Sequence, residues 1–246
     1  MIKLWALALF TATSLLLTAC GAPAAENPQT GSAYATVTDD NGRTVTFDKK
    51  PERIVVTSAS FLDPLYAVGG SVVGRPDSKS KIPDAAKGVT SIGRVYQIDA
   101  EKIIALTPDL VILNKGMNEK LVETLAANNI KTLVIDMKSY EDVKREIGTF
   151  AALTGEKAKG EELVRKMDAD IEAVRTSIPQ EKKRVAIIHS TGQGLSVQLD
   201  GSIAGSIAVM LGWENTAAGM PALDKNPDAA PYSMETLVAQ NPDIIF

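Results

Sequence analysis

Tyr96 and His189 carry the two side chains of this chain whose chemistry is most distinctive. A phenolate is a hard oxygen donor suited to ferric iron, and the imidazole of His189, the one histidine present, can ligate metal or hydrogen-bond a ligand. Tyr96 reads either as such a donor or as a cleft-wall aromatic, and His189 reads first as a hydrogen-bonded residue at a strand end. Around them, Ser58, Ser60, Ser190, Thr191 and Gln193 follow apolar strand patterns and offer neutral donors for ligand oxygens or, alternatively, backbone caps. Met117 and Tyr232 are weaker candidates for the same cleft.

Catalytic arrangements are missing from this set. The sequence holds no Gly-x-Ser-x-Gly elbow and no His-Glu-x-x-His, and its single histidine cannot serve a second role. Gly192-Gln193-Gly194 is followed by Val197 where a third glycine would stand, and no Gly-Lys-Ser/Thr follows, so neither dinucleotide nor P-loop binding is supported. One Cys and one His exclude a disulfide framework and the Cys/His clusters of structural zinc or iron-sulfur sites. With 26 Lys+Arg against 30 Asp+Glu and no basic block, nucleic acid is not an expected partner.

The elements that must position these residues are legible in the apolar pattern. Residues 1–19 read as a signal peptide: Lys3, then an apolar run from Leu4 to Leu17, too short for a comfortable membrane span. The run closes on Leu17-Thr18-Ala19-Cys20, which resembles the bacterial lipobox, so Cys20 is the expected lipidation site and residues 20–33 a tether. A plain secretory signal with an incidental cysteine is the alternative.

Asn41-Gly42 between two alternating runs predicts an N-terminal hairpin. Arg53-Ile-Val-Val-Thr57, Val72-Val-Gly74, Leu110-Val-Ile-Leu113 and Thr132-Leu-Val-Ile135 read as buried strands separated by short helices, which predicts a parallel α/β sheet over residues 34–138. From Ser139 to Ser177 the period becomes helical, giving one long helix or two broken near Gly155 and Gly160. The α/β pattern resumes over residues 180–246, with a strand at Val185–Ile188, a helix at Ser202–Leu211 and a loop at Ala217–Pro231.

An internal match supports two lobes of one design. Glu101-Lys-Ile-Ile-Ala-Leu-Thr-Pro-Asp-Leu-Val-Ile112 recurs as Glu235-Thr-Leu-Val-Ala-Gln-Asn-Pro-Asp-Ile-Ile-Phe246, 134 positions on, and Arg53-Ile-Val-Val is echoed by Arg184-Val-Ala-Ile. The first copy continues into a further helix and strand, so the expectation is a second lobe truncated at its C-terminal end.

Arg53-Ile-Val-Val, Val73-Gly-Arg-Pro76, Ile92-Gly93 followed by Asp99-Ala-Glu101, both Pro-Asp strand entries and Leu211-Gly-Trp-Glu-Asn215, taken in order, resemble the solute-binding lipoproteins of ABC importers for iron complexes and cobalamin, of the class III periplasmic-binding-protein type. The resemblance implies an α/β fold of two Rossmann-like lobes bridged by one rigid helix over residues 139–179, with the ligand between them. It implies no catalysis and no intrinsic cofactor, only a bound cargo such as haem or a ferric siderophore, with cobalamin or a sensory module on the same fold as alternatives. Haem-binding relatives place an axial ligand near Tyr96, often Met. Asp63 and Asp200 approximate the acidic residues, usually Glu, that dock one lobe each on the permease, with solvated surface acids as the alternative. The expected setting is extracytoplasmic, as a monomer held to a bacterial membrane by its lipid.

Overall fold

The computed structural model describes residues 33–178, 181–192, 194–224 and 226–246. Cys20 with its leader, and Gln193, lie outside the described residues. The predicted hairpin is present: β1 (Ala35–Thr38) and β2 (Thr44–Phe47) pair antiparallel, Ala35 opposite Phe47. The buried Asp39 carboxylate closes its turn by accepting from the backbone N–H groups of Asn41 and Arg43 and from the Arg43 guanidinium.

The first sheet is built from β3 (Ile54–Val56), β4 (Val72–Asp77), β5 (Thr90–Arg94), β6 (Gln97–Ile98), β7 (Leu110–Asn114) and β8 (Lys131–Ile135). Their order is β6-β5-β4-β3-β7-β8, parallel except for β6. The unbroken apolar runs follow from burial on both faces. Leu110, Ile112, Leu133 and Ile135 join a core with α1 (Leu62–Ala67) and the hairpin. Val111, Leu113 and Val134 face α2 (Ala100–Ala105) and α3 (Leu121–Ala127) on the other side.

The helical stretch after β8 is two helices and not one rigid rod. In α4 (Tyr140–Thr154) a capping box joins Ser139 and Asp142, and Ile147, Phe150, Ala151 and Leu153 bury against the first sheet's core. The helix ends at Gly155, whose φ of 78° and contact with the Tyr34 hydroxyl leave no room for a side chain. In α5 (Lys157–Ser177) the chain runs back along α4, where Asp168 accepts from the Tyr140 hydroxyl at 2.9 Å and pairs with Lys144. Only Gly160 of α5 is buried, so α4 packs into the core of the first sheet while α5 lies largely on the surface.

Beyond α5 the chain forms two small sheets. In the first, β9 (Arg184–Ala186) lies between β12 (Glu214–Asn215) and β14 (Ile244–Ile245), all parallel. In the second, β10 (Ile188–Thr191), β11 (Gly194–Gln198) and β13 (Ala229–Pro231) pair antiparallel. Helices α6 (Ile203–Met210) and α7 (Met234–Gln240) complete this part of the chain.

Two expectations are corrected here. The strand expected over Val185–Ile188 breaks at Ile187, whose carbonyl accepts from Gln198 N–H while Ile188 N–H donates to Phe246. His189, Ser190 and Thr191 therefore lie in a strand of an antiparallel hairpin and not at a parallel-strand end or in a loop. Likewise the expected loop to Pro231 ends in β13, which satisfies its backbone on β11.

The internal match holds atom by atom. Asp99 caps α2 and Ser233 caps α7, each accepting from the N–H three residues on. Asp109 accepts from Arg53 N–H at 2.9 Å, as Asp243 does from Arg184 N–H at 2.8 Å. Ile54 sits opposite Leu110 in one sheet, and Val185 opposite Ile244 in the other.

Candidate ligand cleft

Strand order reverses about β3 in the first sheet, since the chain continues to β4 on one side and later returns to β7 on the other, all three strands running parallel. In such sheets the crevice opens at the strands' carboxyl ends. Thr57 anchors it: fully buried, its hydroxyl donates to the Ile112 carbonyl and accepts from Asn114 N–H at 2.9 Å. Ser58 is buried and spends its oxygen capping the short turn of helix that follows. Ser60, one turn on, is exposed.

Tyr96 stands farther along the same edge, in the two-residue turn between β5 and β6. Gly93 makes this turn: its φ is 103° and a side chain would meet the Gln97 carbonyl at 2.5 Å, so the Ile92-Gly93 motif has a steric cause. Tyr96 is 68% exposed, and Arg94 Nη1 donates to its hydroxyl at 3.0 Å. Asn118 Nδ2 donates to the Val95 carbonyl at 2.9 Å, which ties the loop carrying exposed Met117 to the Tyr96 turn. Tyr96 and Met117 are thus brought together. Arg94 escaped the sequence reading, although its place two residues before the tyrosine was visible.

At the other end of the edge, after β8, Lys138 reaches the second lobe. Its ammonium lies 3.3 Å from Asp136 and 3.3 Å from Asp228. Burial lowers its pKa, but the Asp136 and Asp228 carboxylates outweigh that and hold it above the usual lysine value. A cavity of ≈ 490 Å³ is lined here by Lys138, His189, Gln198, Ser202, Asn226 and Asp228. His189 therefore shares with Lys138, a neighbour that sequence spacing did not indicate, a cavity whose wall mixes these polar side chains with Ile187, Ile188 and Ile203. A second cavity of similar size is apolar, with Met137 and Val143 from the first lobe against Ile203 and Ile207 of α6, and Ser60 at its wall.

The remaining candidates separate. Ser190 and Thr191 are exposed on β10, with the Thr191 hydroxyl donating to the Gly194 carbonyl. Tyr232 packs on the small core of Val197, Ala217 and Ala230. Asp63 is exposed in the first turn of α1, and exposed Asp200 accepts from Asn215 Nδ2 at 2.9 Å. Among the described residues no group of three or more His, Cys, Asp or Glu is placed to hold a metal ion, and no helix is long and apolar enough to cross a membrane.

A six-stranded, mostly parallel sheet flanked by helices, followed after α5 by two smaller sheets, gives the chain a mixed α/β fold. The periplasmic binding protein family matches residues 54–246, and the chain belongs to it. An ABC transporter substrate-binding lipoprotein of Bacillus subtilis is 26% identical over 98% of this chain and 79% of its own length. The Fe(3+) dicitrate-binding periplasmic protein of Escherichia coli is 30% identical over 85% of this chain and 69% of its own. The cobalamin-binding protein of Halobacterium salinarum is 25% identical over 84% of this chain, which spans 56% of that relative's length. Among solved structures, the iron uptake ABC transporter substrate-binding protein of Streptococcus pneumoniae superposes with a TM-score of 0.71 at 24% identity, covering 87% of this chain and 76% of its own. The relatives are solute-binding proteins and not enzymes.

Proposed function

We propose that this chain is a lipid-anchored extracytoplasmic receptor that captures an iron complex, haem or a ferric siderophore, and delivers it to the permease of an ABC importer. The observation that carries the reading is the exposed Tyr96 phenol held by Arg94 at the cleft edge. The Arg94 guanidinium fixes where the phenol oxygen stands, and phenolate oxygen is a donor that ferric iron prefers. The names of two relatives, one binding ferric dicitrate and one a probable siderophore-binding lipoprotein, support the same class of cargo. The metal arrives and leaves with its chelate, so it is substrate and not cofactor.

In this reading residues 34–138 form the first lobe, 139–179 the helical connection and 180–246 the second lobe. Ser60, Met117 and His189 serve with Tyr96 as ligand contacts, and Ser58, Ser190, Thr191, Gln193 and Tyr232 are the further candidates carried by the sequence. Asp63 and Asp200 offer one carboxylate per lobe for docking to a basic permease surface, where opposed charges speed encounter more than they add affinity. Cys20 carries the lipid, and the receptor acts as a monomer.

The test is equilibrium titration of the full chain, with Cys20→Ala to keep it free of lipid, against haemin, ferric citrate and cobalamin, followed by tryptophan quenching. Saturable binding of a ferric complex is the expected result. Binding of cobalamin alone would move the reading to a corrinoid receptor, and binding of none would overturn it.

A further inference from the structure

The cavity around Lys138 has a composition that the capture of iron does not explain. It lies about 19 Å from the Tyr96 end of the sheet, four strand steps of ~4.8 Å away, counting β5 to β8 in the sheet order. Lys138 is the cation on its wall, and the amide nitrogen of Gln198, on the same wall, is buried with no hydrogen-bond partner. A buried N–H donor without an acceptor is costly to keep, so its retention beside a cation points to an acceptor that is not part of the chain. Asp228 pairs with the lysine at 3.3 Å, from the chain beyond α5. Asp136, at the same distance, comes from the lysine's own loop.

We infer that Lys138 and Gln198 form a carboxylate-binding subsite of the cleft, in which a carboxylate group of the ligand displaces Asp228 from Lys138 and accepts from the Gln198 amide. A planar carboxylate has the lone pairs to accept from both donors at once. Displacement also decides the sign of Asp228: its negative charge competes with the ligand, so removing it strengthens binding, whereas removing Lys138 weakens it. The pair spans two lobes, so the exchange shifts an interlobe contact each time a ligand enters or leaves. The class of ligand is a chelate or acid with free carboxylates, and a neutral ligand would gain nothing from this end of the cleft.

The inference rests on the cleft being the ligand site, and its test separates it from the identity of the metal complex. The full chain with Cys20→Ala is reductively methylated with carbon-13, and the Lys138 methyl resonance, assigned by its absence in Lys138→Gln, is followed during titration with iron-free citrate and then with ferric citrate. The expected result is a saturable shift with citrate, weakened on the order of tenfold by Gln198→Leu. The affinity should be strengthened several-fold by Asp228→Asn, a change at a partly exposed loop position. Should ferric citrate and haemin both fail to bind while iron-free citrate still shifts Lys138, the iron reading falls and the subsite stands. If the Lys138 resonance moves with neither ligand, or if Asp228→Asn weakens binding, the subsite is overturned.

Discussion

Thr107 and Asn241, 134 positions apart, adopt the same left-handed backbone, with φ of 45° and 44°. Each turns the chain from a short helix into a Pro-Asp strand entry, and each carbonyl accepts from the arginine that opens its lobe, Arg53 or Arg184. Asparagine tolerates this conformation, whereas a β-branched side chain is strained in it by roughly 1–3 kcal/mol. Thr107 is exposed, so Thr107→Asn should relieve that strain with little else disturbed. A gain of about 1 kcal/mol in chemical denaturation is expected, and a loss of stability would show that the threonine is held there by contacts its exposure does not suggest.

The paired aspartates test the same duplicated joint from the other side. Asp109 accepts from the backbone N–H groups of both Glu52 and Arg53, leaving them without a protein partner when the carboxylate is removed. Charge-assisted bonds of this kind contribute about 1.5–3 kcal/mol. Asp109→Ala should lower the denaturation midpoint accordingly, and Asp243→Ala by less, since it holds Arg184 N–H alone. Equal losses would contradict the difference in bonding.

Glu146 gives the fold a pH dependence. The residue is buried on α4, one oxygen accepts from Arg145 Nε at 3.0 Å and the other has no partner. Burial first, and the nearby Asp40 charge next, push its pKa up to about 7, against the pull of Arg145, which also binds Asp40 and Asp142. A carboxyl whose folded pKa lies above its unfolded one binds more protons when folded, so stability falls as pH rises from 4.5 through about 7. The shift corresponds to about 3 kcal/mol. Glu146→Gln keeps the bond to Arg145 and should flatten this slope, making the variant the more stable protein at about pH 8. An unchanged slope would place the titration elsewhere.

Much of the first lobe was legible because its strands are covered on both faces. The runs at Leu110 and Thr132 could be nothing else of that length, and the glycines at 93 and 155 mark places where a side chain does not fit. The second lobe was harder to read. A bend at Ile187 moves His189 from a parallel sheet to an antiparallel hairpin, and the signal for it lies in the distant pairing partners Gln198 and Phe246. The same holds for the site. Arg94 beside Tyr96 is local and could have been found, whereas Lys138, Asp228 and Gln198 come from three separate segments and share a wall only once both lobes are folded.

The most direct test is absorbance titration of the full chain, carrying Cys20→Ala, with haemin and with ferric citrate, beside the same chain carrying Tyr96→Phe. Saturable spectral change with at least one ferric complex is predicted, with affinity reduced by on the order of tenfold or more when the phenol oxygen is removed. Binding that is identical in the two proteins would contradict the role given to Tyr96, and absence of any spectral change in the folded, unaltered protein would contradict iron-complex capture itself.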